Sequence, residues 1–293
     1  MAIDKETKAL VQKIQKIQDD DITSDKEVEK YQNWLTEVNK HSYREIDEKI
    51  YKKIARSATE PVQMSWLPTE TARASFFSPI AKKDLKGQYT DITFKSSWGT
   101  VKVEGPPLNI ADEGVFLALL YLVKQSRNTR IKVNYTAICE VLGITYQTIN
   151  IRKIKASIKK LSKTSLDYEL KDGRWSVKRV LNDASGDREF VIVEIDPWFF
   201  SKYLINEITT INMGFRKSLR GDVTKCLYRF LNSHRGVGTY HIDTLISALN
   251  MNPDKELKEN RRVLKSAFTQ LKNKKFLDYQ FKGDIFFDIK VKK

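Results

Sequence analysis

NYTAICEVLGITYQTINIRKIKASIKKLSK, residues 134–163, is the stretch on which the fold turns. Asn134 is a helix N-cap, Ile138, Val141 and Leu142 form an apolar stripe, and Gly143 is the kind of residue on which a helix stops. Thr145 can cap the helix that follows. Helix, glycine turn, helix is the grammar of a helix-turn-helix. In the second helix Ile151, Ile154, Ile158 and Leu161 mark a buried face, and about a quarter-turn away stand Thr148, Arg152, Lys155, Lys159 and Lys163. No acidic residue occurs between Glu140 and Asp167. A solvated lysine face is usually interspersed with glutamate, so an uninterrupted basic face points to a polyanion.

Working outward, the same phrase occurs twice. Asp112 stands as the N-cap of an apolar helix with Phe116, Leu119, Leu120 and Val123 on one stripe, and residues 130–133 make a short strand. After the basic helix, runs at 166–170 and 175–181 flank Asp172-Gly173, a hairpin signal, and a third run at 190–195 closes the sheet. This order fills residues 112–195 and recurs over 221–291. In the recurrence Val223, Leu227, Phe230 and Leu231 mark the first helix, and Asp243 caps a helix with Leu245, Ile246 and Leu249. Pro253 starts a long helix, and a last hairpin turns at Lys282, Gly283 and Asp284. That long helix sets Leu257, Leu264, Phe268 and Leu271 toward the core, with Lys258, Arg261, Arg262, Lys265, Thr269 and Lys272 on the neighbouring face.

The expected fold class is therefore α+β: two tandem winged helix-turn-helix domains with a helical N-terminal extension. The domains are expected at 1–68 (helical arm and linker), 69–205 and 206–293. Thr148 and Arg152, then Lys258, Arg261 and Arg262, sit where a recognition helix reaches base edges; the later lysines suit phosphates. Thr145 at the start of the first long helix, Lys171 and Arg174 in the first wing, and Lys282 in the last complete the expected contacts to double-stranded DNA.

Composition agrees with a polyanionic partner. Fifty-two Lys and Arg against 37 Asp and Glu give net charge +15 over 293 residues, and 41% hydrophobic content fills two modest cores. The longest apolar run, 115–123, is too short to span a membrane, and the charged N-terminus does not read as a signal peptide, so a cytoplasmic, nucleoid- or plasmid-associated protein is expected, with no membrane partner. Cys139 and Cys226 lie in apolar helical patterns and read as reduced, buried thiols. In the arm, Leu10, Ile14 and Ile17 share a face, and Ser24 with Glu27 makes a capping box ahead of Val28, Tyr31, Leu35 and Val38. Residues 60–68 read as an extended linker.

Enzymatic readings fare poorly. There is no phosphate-loop pattern; His41, His234 and His241 are scattered, with no ligand partner at metal spacing. Glu194 and Asp196 share one side of a strand, with surface structural use expected. No enzyme activity, cofactor or metal is expected.

With these residues in hand, the sequence resembles the TrfA family of plasmid replication initiators over about residues 69–281. The matches are Thr71-Ala72-Arg73-Ala74-Ser75-Phe76-Phe77, residues 109–123, residues 135–142, Pro197-Trp198-Phe199, and residues 217–235 ending Phe230-Leu231-Asn232-Ser233-His234-Arg235. The resemblance implies binding to origin repeats (iterons), opening of A·T-rich DNA, recruitment of the host replicative helicase and initiator machinery, and self-association in a monomer–dimer balance. The N-terminal arm departs from the family pattern. Gln63-Met64-Ser65-Trp66-Leu67 resembles the short box that bacterial proteins insert into the replicative sliding clamp. The rival readings are a winged-helix repressor on an operator and, from another class, a primase or nickase.

Overall fold

The computed structural model describes residues 62–73, 76–80, 92–95, 99–126, 128–171, 173, 175–204, 206–234, 237–252 and 255–292. The helical arm, His41, Asp172, Arg174 and Pro253 lie outside the described residues. The first elements are β1 (Met64–Pro68), α1 (Thr69–Arg73), β2 (Phe77–Ser78), β3 (Ile92–Lys95), β4 (Gly99–Glu104) and β5 (Leu108–Asn109). They precede α2 (Ile110–Ser126), β6 (Arg130–Asn134), α3 (Tyr135–Leu142) and α4 (Thr148–Leu161). Four strands follow: β7 (Ser165–Leu170), β8 (Trp175–Arg179), β9 (Leu181–Gly186) and β10 (Phe190–Ile195).

Next come α5 (Pro197–Leu204), β11 (Ile208–Asn212), α6 (Met213–Ser218), α7 (Asp222–Ser233), β12 (Val237–His241), α8 (Ile242–Ala248), α9 (Leu257–Asn273), β13 (Leu277–Lys282) and β14 (Ile285–Val291). Helix, strand, helix, helix, hairpin thus occurs as α2–β6–α3–α4 with β9–β10, and again as α7–β12–α8–α9 with β13–β14. The two three-stranded sheets share one order, β6-β10-β9 and β12-β14-β13, all antiparallel. The first helix of each set is buried for the same reason: Phe116, Leu119 and Leu120 in α2, and Leu227 and Leu231 in α7, are at most 2% exposed.

Several expectations are corrected. The hairpin around Gly173 is not part of the sheet that holds β6: β7 and β8 join β3 and β4 in a separate sheet of order β3-β4-β7-β8. The wing of the first set is β9–β10, turning at residues 187–189, because Val191 and Val193 bury toward the core against β6. Asp112 is not the N-cap of α2: Asn109 Oδ1 accepts from the Ala111 and Asp112 amides, while Asp112 Oδ2 accepts from Asn109 N at 3.0 Å. The two side chains satisfy each other's orphan amides as a capping box. Thr145 does not cap α4, whose N-cap is Gln147, and α8 is capped by His241, whose Nδ1 accepts from Asp243 N. Asn134 does cap α3, and Gly143 ends it at φ 67, where an added Cβ would also lie 2.9 Å from Lys217 Cδ.

The largest correction concerns residues 63–68. They form no open linker; β1 pairs antiparallel with β11, Met64 opposite Asn212 and Pro68 opposite Ile208. Trp66 is 1% and Leu67 0% exposed. Ser65 Oγ donates to Leu117 O and Trp66 Nε1 to Leu120 O on α2, and the Trp66 ring lies 5.1 Å from that of Tyr203. Gln63 Oε1 accepts from Lys217 Nζ at 2.8 Å. Gln63, Ser65, Trp66 and Leu67 are thus buried and Met64 half-buried within their own fold, because a tryptophan ring here covers apolar area that a linker would leave in water. In this conformation the box is not presented to a clamp.

A buried charge cluster joins the two sets. Glu113 on α2 and Arg229 on α7 are both fully buried, and Arg229 Nη1 donates to Glu113 Oε2 at 2.7 Å. Arg216 Nη2 on α6 lies 3.6 Å from the same oxygen and donates to Ile110 O at 3.1 Å.

Candidate nucleic-acid interface

Helix α4 separates its two faces as the spacing required. Ile154, Ile158 and Leu161 are buried and Ile151 half-buried. Asp112 anchors the helix from inside, accepting from Ser157 Oγ and from Lys160 Nζ, each at 2.7 Å. The outer face carries Arg152 and Lys159, both exposed, together with Lys153, which the sequence reading passed over, and Lys163 is exposed just past the helix end. Lys153 does not share that spacing; it stands about 100° round the helix from Arg152, so the exposed basic surface is wider than one helical row. Thr145 and Thr148 are exposed at its N-terminal end.

Lys155 stands apart from that stripe. It is half-buried over the Tyr135 ring, and its Nζ donates to Asp187 O in the wing turn at 2.6 Å. Asp187 in turn accepts from the Glu189 and Phe190 amides; these bonds, with Lys155 and Lys132 nearby, hold its carboxyl below the ordinary carboxylate range. Lys155 therefore fixes the wing to the helix. Arg188, exposed at the wing tip, is the cation the misplaced wing concealed. Lys171 is exposed on the β7–β8 hairpin of the other sheet.

Helix α9 repeats the scheme. Lys258, Arg262, Lys265, Thr269 and Lys272 are exposed at alternating intervals of four and three residues, one face of a helix. Lys265 and Lys272 lay their stems over the Phe281 and Tyr279 rings of the wing, with ammonium-to-centroid distances of 4.1 and 5.5 Å. Arg262 pairs with Glu259 of the same helix at 2.7 Å but keeps 72% of its side chain in solvent, so that pair holds it weakly. Arg261, expected among the base readers, is half-buried and ion-paired with Asp284 in the β13–β14 turn. It matches Lys155: in each set one cation of the long helix is spent on holding the wing. Leu257, expected in the core, is 47% exposed, and Lys282 is exposed at the end of β13.

The remaining titratable groups build structure. Burial raises the carboxyls of Glu194 and Asp196, and Asp196 Oδ1 accepts from Trp198 N at the start of α5; neither is a surface carboxylate as expected. The Cys226 thiol is pushed up to about 12 by burial. Among the described residues no group of three or more His, Cys, Asp or Glu converges as a metal site, and no helix is long and apolar enough to cross a membrane.

Residues 99–232 match the family model described as Initiator Replication protein, WH1, a winged-helix domain. No curated protein matches the chain. Among solved structures, two crystal structures of domains 2 and 3 of RctB are similar, with TM-scores of 0.53 and 0.51 at 14% and 12% identity. They cover 76% and 75% of this chain and 98% and 96% of theirs. At that identity the likeness is one of fold.

Proposed function

We propose that this chain, which carries the winged-helix domain of replication initiators over residues 99–232, is itself a non-catalytic, sequence-specific initiator that grips duplex DNA through two tandem winged-helix modules. The observation that carries the reading is the pair of exposed basic faces, Arg152, Lys153 and Lys159 on α4 with Lys163 just past its end, and Lys258, Arg262, Lys265 and Lys272 on α9, each long helix following a helix-turn. Each neutralised phosphate releases counterions, so such faces supply affinity, while residues near the helix N-terminus supply sequence preference. The two helices enter successive major grooves of one origin repeat. Linking them on one chain raises affinity through effective concentration.

The finer placement with TrfA-like plasmid initiators carries further consequences: iteron binding, opening of adjacent A·T-rich duplex, recruitment of the host replicative helicase, and self-association. The test is a supercoiled plasmid carrying the DNA next to the coding region. Mobility shifts there, with permanganate-reactive thymines beside the bound repeats, are expected. Binding without permanganate reactivity would make the protein a repressor; no preference over random duplex would sink the reading.

A further inference from the structure

Of the eight large apolar side chains exposed among the described residues, three, Ile144, Tyr146 and Ile149, at 40%, 52% and 52%, fall within six residues of one another at the start of α4. Scattered exposed apolar residues need no explanation, whereas a patch does. From 143 to 149 every residue is exposed, so this turn leans on no core. Its exposed surroundings are Thr145, Thr148, Arg152 and Lys153, with no acid between residues 141 and 166. The first turn of α9 repeats the pattern with Leu257, exposed beside Lys258 and Arg262.

We propose that Ile149 is a specificity-determining residue that reads thymine through its C5-methyl group in the major groove. The inference rests on the DNA-binding reading above. Ile149 is the second residue of α4, the end of a recognition helix that approaches base edges, and its side chain can neither donate nor accept a hydrogen bond. The one apolar group the major groove displays is the thymine methyl. A basic surround brings a polyanion to the patch, which argues for duplex DNA over an apolar protein partner. The methyl contact distinguishes T from C, and T from the otherwise identical uracil.

The experiment selects a preferred duplex from a random pool with the full chain, then replaces each thymine in it by deoxyuridine, one position at a time. At one position wild-type protein is expected to bind about fourfold more weakly, the loss of one buried methyl group. Ile149→Ala should bind T and U duplexes equally at that position, with an unchanged salt slope. Ile149→Val should retain part of the preference. A selected duplex with no uracil-sensitive position, or one whose sensitivity survives Ile149→Ala, overturns the proposal while leaving DNA reading intact. If no sequence is enriched at all, the DNA-reading function itself fails, and this inference with it.

Discussion

Arg229→Met tests what joins the two sets of elements. Arg229 and Glu113 are fully buried and meet at 2.7 Å, so neither charge has water to fall back on. Methionine fills similar apolar volume and makes no cavity of consequence. Removing one partner of a buried ion pair costs about 3–5 kcal/mol because the other charge stays behind. Arg216, 3.6 Å from the same carboxylate oxygen, retains part of the compensation. We therefore expect the lower end, about 3 kcal/mol, a large share of the roughly 5–15 kcal/mol that holds a typical domain. Urea unfolding followed by tryptophan fluorescence reads the loss, since Trp66 is 1% exposed and its indole bonds to α2. Glu113→Gln and the double variant complete a cycle, in which a coupling above about 1 kcal/mol is expected. A loss below about 1 kcal/mol, or a coupling within about 0.5 kcal/mol of zero, would refute the idea that this pair locks α2 to α7.

Further outcomes follow from the same geometry. Lys159→Ala and Lys272→Ala should weaken all duplexes alike and each reduce the magnitude of the salt slope by about 1, whereas Arg152→Ala should cost about 1–3 kcal/mol and relax preference at one base pair; salt titrations on selected and scrambled duplexes separate the two. Cys226, its thiol pushed up to about 12 by burial, should resist iodoacetamide at pH 8 in the folded chain and react once urea unfolds it; rapid native labelling in mass spectra would contradict its burial. Burial holds the His234 imidazole below its ordinary value of 6.5, against the opposing Phe230 carbonyl. The unfolded chain then binds the extra proton first, so stability should fall as pH drops through 6.5 and level off below the depressed folded value. His234→Gln should flatten that part of the stability–pH curve; an unchanged slope would place the titration elsewhere.

Much was legible in the chain because periodicity is local. The buried face of α4, the Asn134 cap, the Gly143 stop, the basic stripes and the recurrence of the whole phrase depend on residues within a few turns of each other. Strand pairing does not. Nothing in residues 166–195 distinguishes which two of four strands share a sheet with β6, because alternation says which face is buried and not which neighbour is bonded. That is how the wing was misplaced and Arg188 overlooked. Likewise an arginine on a basic face looks the same whether it meets solvent or, as Arg261 does, an aspartate from the following hairpin.

What the sequence determined by itself is the set of helices, their amphipathic faces and the excess of positive charge, since these follow from side-chain order along one axis. What only the tertiary structure decided is which of those groups remain available. Met64 to Leu67 became a strand paired with residues 142 positions downstream or more, and Lys155 and Arg261 became fastenings for the wings. The physical reason is that burial and ion pairing depend on distance in space, and the chain brings remote segments together only when it folds.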